Sequence, residues 1–212
     1  MFMLTQKNKV FSIETPLGKD VLLLDRFTGQ EGLSENFHFD LDLFSEQNSI
    51  SVEGIIGKNV TISILLSDGN KRFLNGLISC FSQVQGNDYR ASYYSATMVP
   101  WSWLLTRTTN SRIFQNLSVP DIVEKVFQDK GFINFKFNLS ATYEPREYTV
   151  QYRETDFNFV SRLLEDEGIY YYFEHGQGKH TMILADRSGT SKPCPTQASA
   201  KFKQSGEKNF EN

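Results

Sequence analysis

The sequence predicts a mainly β chain with a few helices: an antiparallel barrel or sandwich, then a helix-containing segment. Three observations carry this. Apolar and polar residues alternate along the first hundred positions, the period of a half-buried strand. Turn clusters separate the alternating runs at short intervals. After Pro100 the apolar period changes to that of amphipathic helices.

In chain order, Val10 to Ile13 reads as a weak strand and Val21 to Leu24 as a buried one. From Asn36 to Phe44 the residues Phe37, Phe39, Leu41 and Leu43 share one face, and His38, Asp40 and Asp42 the other. Lys58 to Leu66 repeats the pattern with Val60, Ile62 and Ile64, and Ser67-Asp68-Gly69-Asn70 supplies an Asp-Gly turn. Phe73 to Val84 is the returning strand, Gln85 to Asp88 a second turn, and Tyr89 to Val99 the next strand. Trp101 to Leu105 follows Pro100 as a short helical turn or tight corner. Ser118 to Lys130 predicts a helix: Ser118 caps it, Pro120 and Asp121 suit the first turn, and Gly131 suits the left-handed C′ position. Its stripe is Val119, Ile122, Val123, Val126 and Phe127. A second helix is expected from Asp156 to Glu167, capped by Thr155 or Asp156, with Phe157, Val160, Leu163 and Leu164 as its stripe and Gly168 at its end. Ile169 to Glu174 and His180 to Ala185 predict a hairpin turning at His175 to Gly178. From Ser188 onward apolar residues are sparse, as in a loop or tail.

The 212 residues suffice for an ordinary hydrophobic core, and 14% of them are aromatic. A formal net charge of −3 and scattered Lys and Arg argue against nucleic-acid binding. Two distant cysteines, Cys80 and Cys194, make neither a disulfide framework nor a zinc pair and suit a reducing cytosol. Met1 to Val10 lacks the apolar run of a signal peptide, and no stretch approaches a membrane span.

Candidate chemistry is sparse. His175 and His180 flank a Gly-rich turn without a third metal ligand at a known spacing, so they are expected to be exposed hairpin residues. Glu165-Asp166-Glu167 opposes the dipole of the helix it ends and calls for partners, with Arg153, Arg162 or a neighbouring chain as candidates. Adjacent carboxylates on a helix do not face one another as glycoside hydrolysis requires. No nucleophile elbow, phosphate-binding loop or His-Glu-x-x-His stands in the sequence, so no catalytic residue, metal or cofactor is expected. Tyr170, Tyr171 and Tyr172 put rings on both faces of one strand, so both faces are expected to be covered, one by the core and the other by a helix or another subunit.

The segment PREYTVQYRETDFNFVSRLLEDEGIYYYFEHGQGKHTMILAD, Pro145 to Asp186, closely resembles the hallmark segment of VgrG proteins, the spikes of type VI secretion machines, which also look like the tail hubs of contractile phages. SRIFQNLSVPDIVEKVFQDKGF and LDRFTGQEGLSENFHFDLDL resemble earlier parts of the same family. Arg146, Gln151, Tyr152, Arg153, Glu154, Asp156, Arg162, Leu163, Leu164, Gly168 and Tyr170 match its signature, and we read them as architecture. The resemblance implies a first β-barrel hub domain at 1–108. A helix-containing segment at 109–186 then belongs to a second hub domain and begins a second β-barrel, and 187–212 is a loop or tail, or the start of a truncated domain. It also implies a non-enzymatic structural part, a homotrimer in the full-length protein, docking on the hexameric Hcp tube, contacts with baseplate components and effectors, and export from the cytoplasm by the secretion machine. The alternatives are a phage tail hub and, more distantly, a cell-wall glycoside hydrolase. The chain stops at Asn212, before the small barrel and needle of the family, so a fragment or truncated relative is expected.

Overall fold

The structure, a computed structural model, describes residues 4–7, 9–85 and 91–190. The turn expected at Gly86 to Asp88, the residue Cys194 and the tail beyond Thr190 lie outside them. Six strands form one antiparallel sheet in the order β1-β4-β5-β6-β3-β2: β1 (Phe11–Glu14), β2 (Leu23–Gln30), β3 (His38–Ser45), β4 (Asn59–Leu65), β5 (Lys71–Val84) and β6 (Ser92–Val99). The alternation in β3 turns Phe39, Leu41 and Leu43 inward, where they pack with Ile62, Leu74 and Met98. Bulges in β2 at Leu24/Arg26 and in β5 at Ile78/Cys80 interrupt the register, the device that lets a sheet coil on itself.

The terminal strands of that order, β1 and β2, are joined by a side chain. The Gln6 carboxamide donates to the carbonyls of Ile13 (3.1 Å) and Leu22 (3.4 Å) and accepts from the amides of Ile13 (2.7 Å) and Leu24 (3.4 Å). It thus does the work of a missing ladder rung between two edges. Phe11 and Phe27 meet edge to face across the same seam, ring centroids 5.6 Å apart.

Beyond Pro100 a 3-10 turn (Trp101–Arg107) leads into a second cluster. The strand β7 (Thr109–Leu117) pairs antiparallel with β9 (Arg146–Thr155) as a two-stranded ribbon. Helices α1 (Val119–Asp129) and α2 (Asp156–Asp166) pack beside it, and β10 (Tyr170–Gly176), β11 (Lys179–Ala185) and β8 (Phe135–Asn138) form a small sheet in which β8 and β11 run parallel. Alternation alone did not mark β7 and β8, which are short or mixed in polarity. Both helices keep their expected ends. Ser118 and Asp121 form a capping box, and Thr155, rather than Asp156, caps α2 by accepting from the Asn158 amide. Gly131 and Gly168 both take positive φ (78° and 68°) in Schellman turns, each followed by an apolar residue, Phe132 and Ile169.

The buried stripe of α1 is the one expected. That of α2 is corrected: Phe159 is buried and Phe157 only partly so. The buried positions are 156, 159, 160, 163 and 164, the same i, i+3, i+4, i+7, i+8 spacing, so the helix is rotated to bring Asp156 into the interior.

Candidate functional site

Asp156 sits where the ribbon, α1 and α2 meet, and none of its side chain reaches the surface. Its Oδ1 accepts from Arg112 (2.6 Å), Asn110 (2.9 Å) and Gln151 (2.9 Å), and its Oδ2 from Thr108 (2.6 Å) and Lys130 (3.2 Å). Burial alone would raise the carboxyl pKa; the hydrogen bonds from Asn110, Thr108, Gln151 and Lys130 outweigh it and hold the group down to about 2. Gln151, also buried, bridges the carboxylate to Arg112 Nε at 2.9 Å. Arg112 and Lys130 carry the charge that makes this burial tolerable. They stand 44 and 26 positions before Asp156, and no local spacing links them to it.

The other signature residues surround this centre. Glu154 takes a forked contact from Arg162 Nε and Nη2 (2.7–3.1 Å), and the same Nη2 also donates to the Val150 carbonyl. Arg153 adopts φ 50° and lays its guanidinium over the Tyr152 ring at 5.2 Å. The expected role of Arg153 and Arg162 in neutralising the acids at the end of α2 is therefore corrected: Arg146, at the start of β9, reaches Asp166 (2.5 Å) and Glu167. The antiparallel return of the chain brings Arg146 there, whereas Arg162 faces β9 on its own helix. Leu163 and Leu164 enter the core, and half-buried Tyr170 donates to the Arg187 carbonyl.

The β10–β11 hairpin docks on the barrel and overturns the reading of its histidines as exposed. His180 is buried, and the His175 side chain is 7% exposed. The two are direct cross-strand partners, and both bind Asn75 of β5, which is buried. The Asn75 amide donates to His175 Nδ1 (3.0 Å), and Asn75 Oδ1 lies 2.8 Å from His180 Nδ1. His180 Nε2 accepts from the Trp101 amide (2.9 Å), so Nδ1 carries the proton and the ring is neutral. Burial, with a smaller contribution from His175, pushes the His180 pKa down to about 3. His175 Nε2 faces Glu31 at 2.8 Å, and Phe37 packs against both imidazoles. His38 is exposed beside Asp40. The tyrosine strand is covered as follows: Tyr171 enters the core, while half-buried Tyr172 lines a cavity with Leu33 and Glu35 of the barrel.

The ribbon leaves one face open. Ile113, Tyr148, Val150 and Tyr152 share its outer side, and Tyr152 is 65% exposed. Ile113 and Val150 are direct partners across the two strands. Contiguous exposed apolar surface of this kind marks an interaction site more often than chance.

Comparison with known proteins places these features in a lineage. A family model described as phage tail baseplate hub (GPD) matches residues 30–211. The type VI secretion system spike protein VgrG1b of Pseudomonas aeruginosa is 45% identical over 199 residues, covering 94% of this chain and 27% of that protein. VgrG1a of the same organism is 46% identical over 184 residues, covering 87% and 28%. The chain thus spans about a quarter of the length of these curated relatives. Among solved structures, the Escherichia coli c3393 protein superimposes with a TM-score of 0.76 at 28% identity, covering 84% of this chain and 49% of that one. That protein is described as a type VI secretion component with structural similarity to the T4 bacteriophage tail proteins gp27 and gp5.

Proposed function

The chain belongs to the phage tail baseplate hub (GPD) family, and from that premise we propose that it is the N-terminal hub portion of a VgrG-type secretion spike. In this reading it is a structural part without turnover. It trimerises within the full-length protein, docks on the Hcp tube, contacts baseplate and effector proteins, and leaves the cytoplasm through the secretion machine. The signature residues serve as architecture, with Asp156 fixing the angle between ribbon and helices. The division into 1–108, 109–186 and 187–212 belongs to the same proposal. No helix among the described residues is long and apolar enough to cross a membrane.

The observation that carries the reading is the open apolar face of the ribbon, on a scaffold 45% identical to a spike protein. A phage tail hub is the neighbouring reading, favoured by the T4-like relatives of the c3393 protein; the identity to VgrG1b favours the spike. Three carboxylates near the end of α2 and on β9 are held in ion pairs: Asp166 and Glu167 by Arg146, Glu154 by Arg162. The test is mass by light scattering of the full-length protein beside this chain. We expect three times the subunit mass for the full-length protein, and reversion to one on Ile113→Asp/Tyr152→Asp with an unchanged melting temperature. A full-length protein that stays monomeric at every concentration rejects the hub reading.

A further inference from the structure

The outer wall of the barrel holds a second feature, unrelated to the ribbon. Under the segment preceding β1 lies a cavity of about 340 Å³. Lys7, Lys9 and Lys71 line it, and its strand walls contribute Ser12 and Ser63. The two serines are direct partners across β1 and β4, on the face opposite Ile13 and Ile62 of the core. Ser63 is 4% exposed and Ser12 is half-buried.

The lysines are exposed. None of the three forms an ion pair with a described residue. Lys9 is steadied only by the Phe44 ring, 4.9 Å from its ammonium. Three like charges around one small cavity repel one another until an anion arrives. Two hydroxyl donors lie ready for its oxygens. Gln6 also lines the cavity, and its amide donates to Asp20 (3.1 Å), so the three lysines outnumber the one carboxylate bound beside them.

The rim narrows the choice of anion. Val10 and Leu65 stand at the cavity mouth, 54% and 43% exposed. A free inorganic anion gains nothing from aliphatic walls, whereas a peptide carrying both carboxylates and an aliphatic side chain uses walls and lysines together. Strand addition is closed to such a peptide at this place: β1 is paired with β4 on one side and sealed by Gln6 on the other. Recognition must run through side chains.

The geometry points to a docking site for an acidic, aliphatic-containing peptide segment of a partner protein, held by Lys7, Lys9 and Lys71 with Ser12 and Ser63 beneath. It does not depend on the hub reading: trimerisation and peptide capture are measured separately, and either can fail alone.

The experiment is fluorescence anisotropy of a labelled decapeptide of alternating Glu and Leu, titrated with the whole chain. We expect saturable binding that weakens at least about tenfold in Lys7→Glu/Lys71→Glu, and comparably when salt is raised to about 0.5 M, as exposed charge contacts should. Leu65→Ser should weaken it by a smaller factor. The exposed lysines leave the core untouched, so melting temperatures should hold; if the double reversal is unstable, Lys71→Gln alone should still weaken binding several-fold. Equal binding of a Lys–Leu decapeptide, or unchanged affinity in the lysine variants, overturns the proposal. So does complete displacement by millimolar inorganic phosphate with no effect of Leu65→Ser, which would make the cavity a simple phosphate site.

Discussion

Asp156 and His180 are both buried and titratable, and their protonation works in the same direction over different pH ranges. Asp156 has its carboxyl pKa depressed from 3.8 to about 2, so its contribution is full above pH 4 and is lost as pH falls toward 2. That difference is worth on the order of 2 kcal/mol. His180 is a base held neutral, its pKa lowered from 6.5 to about 3. The unfolded chain therefore takes up the proton first, and stability falls as pH drops below 6.5, by roughly 2 kcal/mol at pH 5. Denaturant midpoints measured from pH 8 to 3 should show this earlier loss. In His180→Phe the curve should be lower throughout, because Asn75 and Trp101 lose their partner, but nearly flat between pH 6.5 and 5, above the range where the lowered Glu31 carboxyl begins to take up its proton in the unfolded chain. A slope that survives the substitution would assign the acid sensitivity elsewhere. Asp156→Ala should be severe, about 3–5 kcal/mol, since it leaves Arg112 and Lys130 facing an emptied cavity. Tyr171 offers the opposite case. Its hydroxyl is buried with no partner among the described residues, so Tyr171→Phe should be neutral or stabilising by up to ~1 kcal/mol, while Tyr171→Asp should prevent stable folding.

Among the elements, the seam of the barrel and the orientation of α2 were the least legible in sequence, and for different reasons. Gln6 looks like any polar residue in a polar segment; its four bonds exist only because folding brings Ile13, Leu22 and Leu24 around it. Gln6→Ala should lower stability by about 1–2 kcal/mol and speed hydrogen exchange at the Ile13 and Leu24 amides more than elsewhere. Unchanged exchange at those amides would mean the strands need no such clasp. In α2 the clue was present. Asp156 falls three and four residues before Phe159 and Val160, on the stripe itself, but a carboxylate at a helix start reads as a cap or dipole partner. Thr155 already held the cap, which freed Asp156 to turn inward. The strongly alternating strand β3 and the helix α1 were readable because their period alone determines which face is buried, whereas β4 and β5 are buried on both faces over part of their length. The short β8 carries too few residues to show a period.

For the whole molecule, the sequence supports two apolar clusters but not the way they join. Phe173 packs against both, and the hairpin carrying it docks on the barrel through His175 and Asn75, 100 positions apart in sequence. The histidines were read as exposed because a Gly-rich hairpin tip usually is. Only the shape of the barrel mouth, set by Phe37 and Asn75, supplies their burial. A chain ending at Thr108 keeps all six barrel strands but loses that plug, and should be less stable than the intact protein and bind hydrophobic dyes.

The shared use of Asn75 has a thermodynamic corollary. A single asparagine engages both imidazoles, one through its main-chain amide and one through its side-chain oxygen, and one of those imidazoles also holds the first amide after Pro100. Separating the halves by any single step strips several partners at once, so partial opening is penalised as heavily as complete opening. Calorimetry should therefore record one endotherm, with van't Hoff and measured enthalpies equal, despite two distinct interiors.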